Sequence, residues 1–209
     1  SLHDALPISS ELAATVHTQV GVCLAGTNVM QFCDQLAHAG ADFIYTIQHP
    51  VLAVDDTAVY CKAISQAIQK HRPQIVLYAA TPTGRVLAPM ISYKLGCGLT
   101  ADCTGLDICD NSRKGIIAGL FQTRPALGGN IMATICTKDS WCQMATARPG
   151  VMKKLTPDHS RKAQIIDVNI SISENSNQVY LAIGMLYHWF LGCFRLTSYW
   201  TRRNTSTCF

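Results

Sequence analysis

Short apolar runs alternate with amphipathic segments through the first ~95 residues, the rhythm of βαβ units wound about a parallel sheet. Val20–Ala25 (VGVCLA) reads as a buried strand ending at Gly26. Asn28 can cap a following helix that turns Phe32, Cys33, Leu36 and Ala37 inward and closes at Gly40. Asp42–Ile47 (DFIYTI) predicts a second strand. Asp55 and Asp56 precede a helix whose Val59, Ala63, Ile64, Ala67 and Ile68 share one face, with Pro73 as its stop. Ile75–Ala79 (IVLYA) predicts a third strand. The turn Thr81–Arg85 (TPTGR) then leads into the helix RVLAPMISYKL, which ends at Gly96. Pro89 either kinks that helix or marks a late start.

After Gly98 the pattern changes. Leu99–Ile108 and Gly115–Thr123 predict two strands joined by the polar turn CDNSRKG, an antiparallel hairpin. Ile131–Thr137 predicts another strand, reached through the tight turn Gly128-Gly129-Asn130. The expected class is therefore α/β: three layers, doubly wound, with a mostly parallel sheet and an antiparallel hairpin extension. Residues 1–152 read as one domain and 153–178 as a linker with one strand over Ile165–Ile172 and a loop at Glu174–Gln178. Residues 179–209 keep no clean period and read as an incomplete or aberrant tail.

Composition narrows the function classes. The 209 residues are 48% apolar and 14% charged, a globular balance with enough length for a sizeable core. A net charge of +4, with basic residues scattered in short pairs such as Lys153-Lys154, argues against a nucleic-acid groove. Val179–Phe194 is interrupted by His188 and falls short of the ~20 residues a membrane span needs, so no membrane insertion is expected. The opening SLHDALPISS lacks the basic start and apolar core of a signal peptide. Ten cysteines carry no CxxC pair for zinc. Cys97, Cys103 and Cys109 recur every six residues, as do Cys136 and Cys142, which on a strand means a shared face. They read as buried free thiols in a reducing compartment.

Tests for chemistry return little. There is no GxxxxGK[ST], no GxGxxG and no GxSxG. The best anion-site candidate is Thr83, Gly84 and Arg85, where a strand feeds a helix N-terminus. The plainer alternative is a βα turn capped by Thr83, with Arg85 solvated or paired across a subunit boundary. His71 and His159 fall in polar loops and His38 at a helix end, without catalytic company. Asp102 and Asp107 are oddly spaced on one predicted strand, face opposite sides, and form no metal set. No active site is expected in this chain.

Four linked motifs carry a resemblance: VLYAATPTGRVLAP, GLTADCTGLDI, QTRPALGGNIMATI and QMATARPGVM. Together they resemble the N-terminal domain of the electron transfer flavoprotein alpha subunit, clearly from Asp42 to Met152 and more loosely back to Val20. The resemblance implies an adenine-nucleotide-hydrolase-like α/β fold in a bacterial cytoplasm. It implies a heterodimer with a beta subunit that holds FAD and relays electrons from acyl-CoA dehydrogenases and similar flavoenzymes, as in fatty acid β-oxidation. This chain would be the scaffold that docks the beta subunit, with Arg124, Gly128, Gly129, Asn130 and Arg148 as interface candidates. Trp141 and Cys142 stand where many relatives have a proline before QMAT. The family's flavin-domain motifs find no match, so no flavin contact is carried over and the chain alone is expected to bind no FAD. A fragment ending before the flavin domain is the implied reading. Two further hypotheses remain: a stand-alone adenine-nucleotide-binding module of the stress-protein type using Thr83–Arg85, and an enzyme with a reactive cysteine.

Overall fold

The computed structural model describes residues 2–54, 56–112, 115–151 and 156–171. The predicted loop at Glu174–Gln178 and the tail over 179–209 lie outside the described residues, as does part of the turn CDNSRKG. In chain order the elements are α1 (Leu2–Thr15), β1 (Gly21–Gly26), α2 (Cys33–His38), β2 (Phe43–Gln48), α3 (Thr57–His71) and β3 (Ile75–Ala79). Then follow α4 (Pro82–Leu95), β4 (Gly98–Cys103), β5 (Gly105–Asn111), β6 (Ile116–Ala126), β7 (Ile131–Ile135), β8 (Gln143–Ala147) and β9 (Gln164–Asp167).

Six strands form two parallel groups, ordered β1-β2-β9 and β3-β8-β4. Side-chain alternation along them builds two core layers. On β1, Val22 and Leu24 pack with Leu6 and Ala13 of α1 and Cys33 and Leu36 of α2. Cys23 and Ala25 turn to the opposite side, where Val59, Ala63 and Ala67 of α3 await them. Strand β8 repeats the division. Met144 meets Cys61 and Ile68 of α3 and Leu87 and Ile91 of α4, while Ala145 and Ala147 lie under Ile8 and Leu12 of α1. Helices thus cover both faces, the doubly wound arrangement that the βαβ rhythm predicts.

The remaining strands form an antiparallel sheet ordered β5-β6-β7. Here the structure corrects one boundary. The expected single strand Leu99–Ile108 breaks at Asp102–Thr104, and its halves join different sheets: β4 pairs in parallel with β8, β5 antiparallel with β6. Asp102 takes a left-handed conformation, φ 61°, at the register shift between Thr100 and Cys103. The six-residue cysteine period therefore does not trace one strand face. Cys103 is buried on β4, Cys97 precedes that strand half-buried, and Cys109 is exposed on β5.

Three further differences have physical causes. Helix α1 was not predicted because Pro7 interrupts it, although Ala5 and Leu12, and Leu6 and Ala13, repeat at the seven-residue spacing of one helical face. The expected helix from Asn28 begins as a 3-10 turn at Met30–Phe32, which leaves Phe32 exposed while Cys33, Leu36 and Ala37 stay buried. Strand β8 carries Gln143 and Thr146, polar residues that hide a central strand from a pattern reading, yet all five of its residues are buried. Pro89 sits inside α4, which already begins at Pro82.

Candidate functional site

The carboxyl ends of β3, β8 and β4 converge where α4 begins, the location at which open α/β sheets present their ligand-facing groups. Local chemistry sets the turn. Thr81, not Thr83, is the N-cap of α4; its Oγ1 accepts from the Gly84 amide at 3.2 Å, and its carbonyl accepts from the Arg85 amide at 2.9 Å. Pro82 opens the helix, where a missing N–H costs nothing. A Cβ on Gly84 would collide with the Ala79 carbonyl oxygen, so only glycine lets α4 start this close to β3.

Arg85 reaches back along this turn. Its Nε donates to the Ala80 carbonyl at 2.9 Å, and one Nη donates to Asp102 Oδ1 at 3.2 Å. Arg148, just past β8, grips the same carboxylate with two bonds, Nε to Oδ1 at 3.1 Å and Nη2 to Oδ2 at 2.6 Å. Two guanidiniums from distant parts of the sequence thus close on one aspartate. The bulge at Asp102 places it there: its amide donates to Thr146 Oγ1 at 2.7 Å instead of continuing the ladder. The Arg148 amide in turn donates to the Cys103 carbonyl at 2.9 Å.

The bonds from Arg148 hold the Asp102 carboxyl below its usual range, against an opposing push from burial, and the charges of Arg148, Arg85 and Arg124 lower it further. Asp102 in turn raises Arg148. Because the folded pKa lies below the unfolded one, this pairing stabilises the fold above about pH 4 and fades as pH falls through the depressed value. Asn tolerates a positive φ, so Asp102→Asn removes the charge while sparing the backbone. We expect that variant to melt about 2–4 °C lower at pH 7, the effect of a half-exposed pair. A thermal melt series from pH 7 to 3 checks this: the gap stays level to about pH 5 and closes below about pH 4.

Of the sequence-predicted residues, the structure brings Arg85 and Arg148 together and leaves Thr83 outside the cap. In the turn as folded, the amides of Gly84 and Arg85 are bonded to Thr81. Arg124 lies on β6 opposite Ala133 of β7, and Gly128 and Gly129 adopt φ 75° and 90° in the exposed turn before Asn130. Strand β7 is unusually apolar for its position. Ile131 is 52% exposed, Met132 55% and Ile135 39%, and Ile117 of β6 reaches 85%. Asp102 as the common partner of the two arginines was missed. The signal available was its place before a glycine-flanked break, DCTG, inside an otherwise continuous apolar strand.

Among the described residues the cysteines do not assemble a reactive centre around these groups. Burial pushes the thiol of Cys103 up to about 11 and that of Cys142 to about 12, away from the thiolate form that attacks. Among the described residues no group of three or more His, Cys, Asp or Glu side chains is placed to hold a metal ion. Among the same residues no helix is long and apolar enough to cross a membrane.

Known proteins resolve what this scaffold is. Residues 4–173 match the model of the electron transfer flavoprotein domain. The chain belongs to the electron transfer flavoprotein family. It is 44% identical over 165 residues to the electron transfer flavoprotein subunit alpha of Thermoanaerobacterium thermosaccharolyticum, covering 79% of this chain and 48% of that one. It is 39% identical to the subunit alpha of Megasphaera elsdenii, over 78% of this chain and 47% of the relative. It is 34% identical to the acryloyl-CoA reductase electron transfer subunit beta of Anaerotignum propionicum, over 74% of this chain and 47% of that protein. The chain spans about half the length of the curated relatives it matches. In electron transfer flavoprotein terms the described body is an alpha-subunit N-terminal domain, and the relatives are named as electron-transfer subunits.

Proposed function

We propose that this chain is the docking scaffold of an electron transfer flavoprotein alpha subunit, working in a bacterial cytoplasm. It packs on a beta subunit, and the full heterodimer holds FAD and relays electrons from flavoenzymes of the acyl-CoA dehydrogenase type. The observation that carries the docking role is β7. It is paired on one side by β6, and Ile131, Met132 and Ile135 are all substantially exposed along it. An apolar edge strand invites either aggregation or a protein partner. On the side of the sheet that holds Ile131 and Ile135, Gln122 and Leu120 of β6 are fully buried. This face thus begins in the core at Leu120 and Gln122 and runs outward past its own cover to Ile131 and Ile135. The Leu127–Gly129 turn and Asn130 sit at one end of this strip and shape its border.

The redox chemistry belongs to the flavin, and this scaffold contributes position and partner recognition. Co-expression with the beta subunit of the same organism tests the reading. A 1:1 complex on size exclusion is expected, and Ile131→Asp with Ile135→Asp weakens it more than about 100-fold, since two charges would be buried at the centre of the contact. Absence of a complex with the unaltered chain would overturn the docking role.

A further inference from the structure

We propose that Arg85 and Arg148, held on Asp102, form with the nearby Arg124 a recognition patch for an acidic segment of the docked protein partner. The inference rests on the docking reading above and names the chemistry of a second contact beside the apolar strip. Arg85 and Arg148 both pair with one carboxylate, and Arg124 stands nearby, next to Thr123, whose carbonyl accepts from the Thr104 amide two residues past Asp102; the three arginines outnumber that one carboxylate by two charges. Arg85 and Arg148 are side-chain exposed by 55% and 40%. Each guanidinium has five N–H donors, and the bonds to Asp102 and Ala80 use two on each. Asp102 therefore acts as a positioning residue: it fixes the planes of the two guanidiniums and leaves outward edges for another anion.

Register joins this patch to the apolar strip. Arg124 faces Ala133 across β6 and β7, and the flanking pairs on the same side of the sheet are Gln122–Ile135 and Ala126–Ile131. A partner seated on Ile131 and Ile135 consequently meets the Arg124 side chain between them, and the Thr123 carbonyl next to Arg124 accepts from the Thr104 amide, two residues past Asp102. A small phosphate is the poorer occupant. The amides of Gly84 and Arg85 are already bonded to Thr81, and the Ala79 carbonyl oxygen fills the space over Gly84. The unused guanidinium donors of Arg85 and Arg148 suit a carboxylate delivered on a protein surface that the neighbouring apolar contacts hold in place.

Binding of the purified beta subunit to the immobilised chain, followed by biolayer interferometry between 50 and 300 mM NaCl, separates the outcomes. These salt values are chosen so that the screening length shortens from roughly 14 to 6 Å. Arg148 stays intact because it seats Asp102. For Arg85→Gln with Arg124→Gln we expect about tenfold weaker binding at low salt, a slower association rate and a shallower salt dependence. Arg85→Lys with Arg124→Lys retains charge and recovers most of the affinity, which distinguishes recognition from a folding defect. Equal affinity and equal salt slope for the Gln variant and the unaltered chain would overturn the patch while leaving the docking scaffold intact. If the unaltered chain fails to bind, the docking reading itself falls and the patch with it. Micromolar binding of inorganic phosphate or AMP to the chain alone, lost in the Gln variant, would overturn the proposal in favour of a small-anion site.

Discussion

Gly84→Ala is expected to destabilise this protein by about 3 kcal/mol, at the upper end of what overpacking costs. The added methyl would meet the backbone oxygen of Ala79, and no side chain stands there to swing aside. Relief requires moving the start of α4 away from β3. That motion would strain the cap bonds from Thr81 and draw the Arg85 guanidinium off the Ala80 carbonyl and Asp102. The thermal midpoint should fall by roughly 6–12 °C for a domain of this size. Circular dichroism melts measure it, and a fall of less than 2 °C would show that the turn yields cheaply. The same substitution should weaken partner binding even at temperatures where the variant is folded, because the Arg85 edge loses its fixed plane.

Leu120→Ala should cost a similar amount, about 3 kcal/mol, through the cavity it leaves. Leu120 is fully buried among Ile8 and Leu12 of α1, Cys103, Leu106 and the two alanines of β8. It also stands at the joint between two sheets: its amide donates to Gln143 Oε1 at 3.0 Å, a side-chain bond from the central parallel strand to the antiparallel sheet. Losing the packing around that bond should loosen β5, β6 and β7 preferentially. Hydrogen exchange mass spectrometry provides the readout. Protection should fall more in residues 105–135 than in β1 and β2, and uniform loss across the chain would contradict a joint role. Partner affinity should fall with it, since β7 belongs to the loosened sheet.

Much of the parallel scaffold was legible because its signals are local. VGVCLA and IVLYA are apolar runs bounded by turn residues, and the α3 face repeats at helical spacing. The cap at Asp56 is read directly from an aspartate preceding that repeat, and its Oδ1 accepts from the Ala58 amide at 2.8 Å. Three features resisted. Pro7 obscured α1, although proline in a helix is a propensity cost that burial of Leu6, Ile8 and Leu12 overrides. QMATA was a recognisable motif but not a recognisable central strand. Its Gln143 and Thr146 are polar because they bond to Leu120 and Asp102, partners that lie far along the chain. Phe32 fell outside the core because the first turn after Asn28 winds as a 3-10 segment, which shifts the angular position of each side chain.

The candidate site divides in the same way. Arg85 stood out in TPTGR and Arg148 in ARPG, each as a separate feature with its own local explanation. Asp102 reads from the sequence only as one of two aspartates on opposite sides of a single strand. Nothing in their spacing of 17 and 46 positions along the chain links them to one another. Local periodicity and turn chemistry were enough, from the sequence alone, to establish the α/β class, the order of most elements and, through four linked motifs, the family. Tertiary structure decided where the single apolar run after Gly98 divides, which strand is central, and that two arginines share one aspartate. Periodicity reports the face a residue presents to its own element. Pairing of charges and register between sheets depends instead on where the carboxyl ends of β3, β8 and β4 meet in space, and that is set by packing of the whole body.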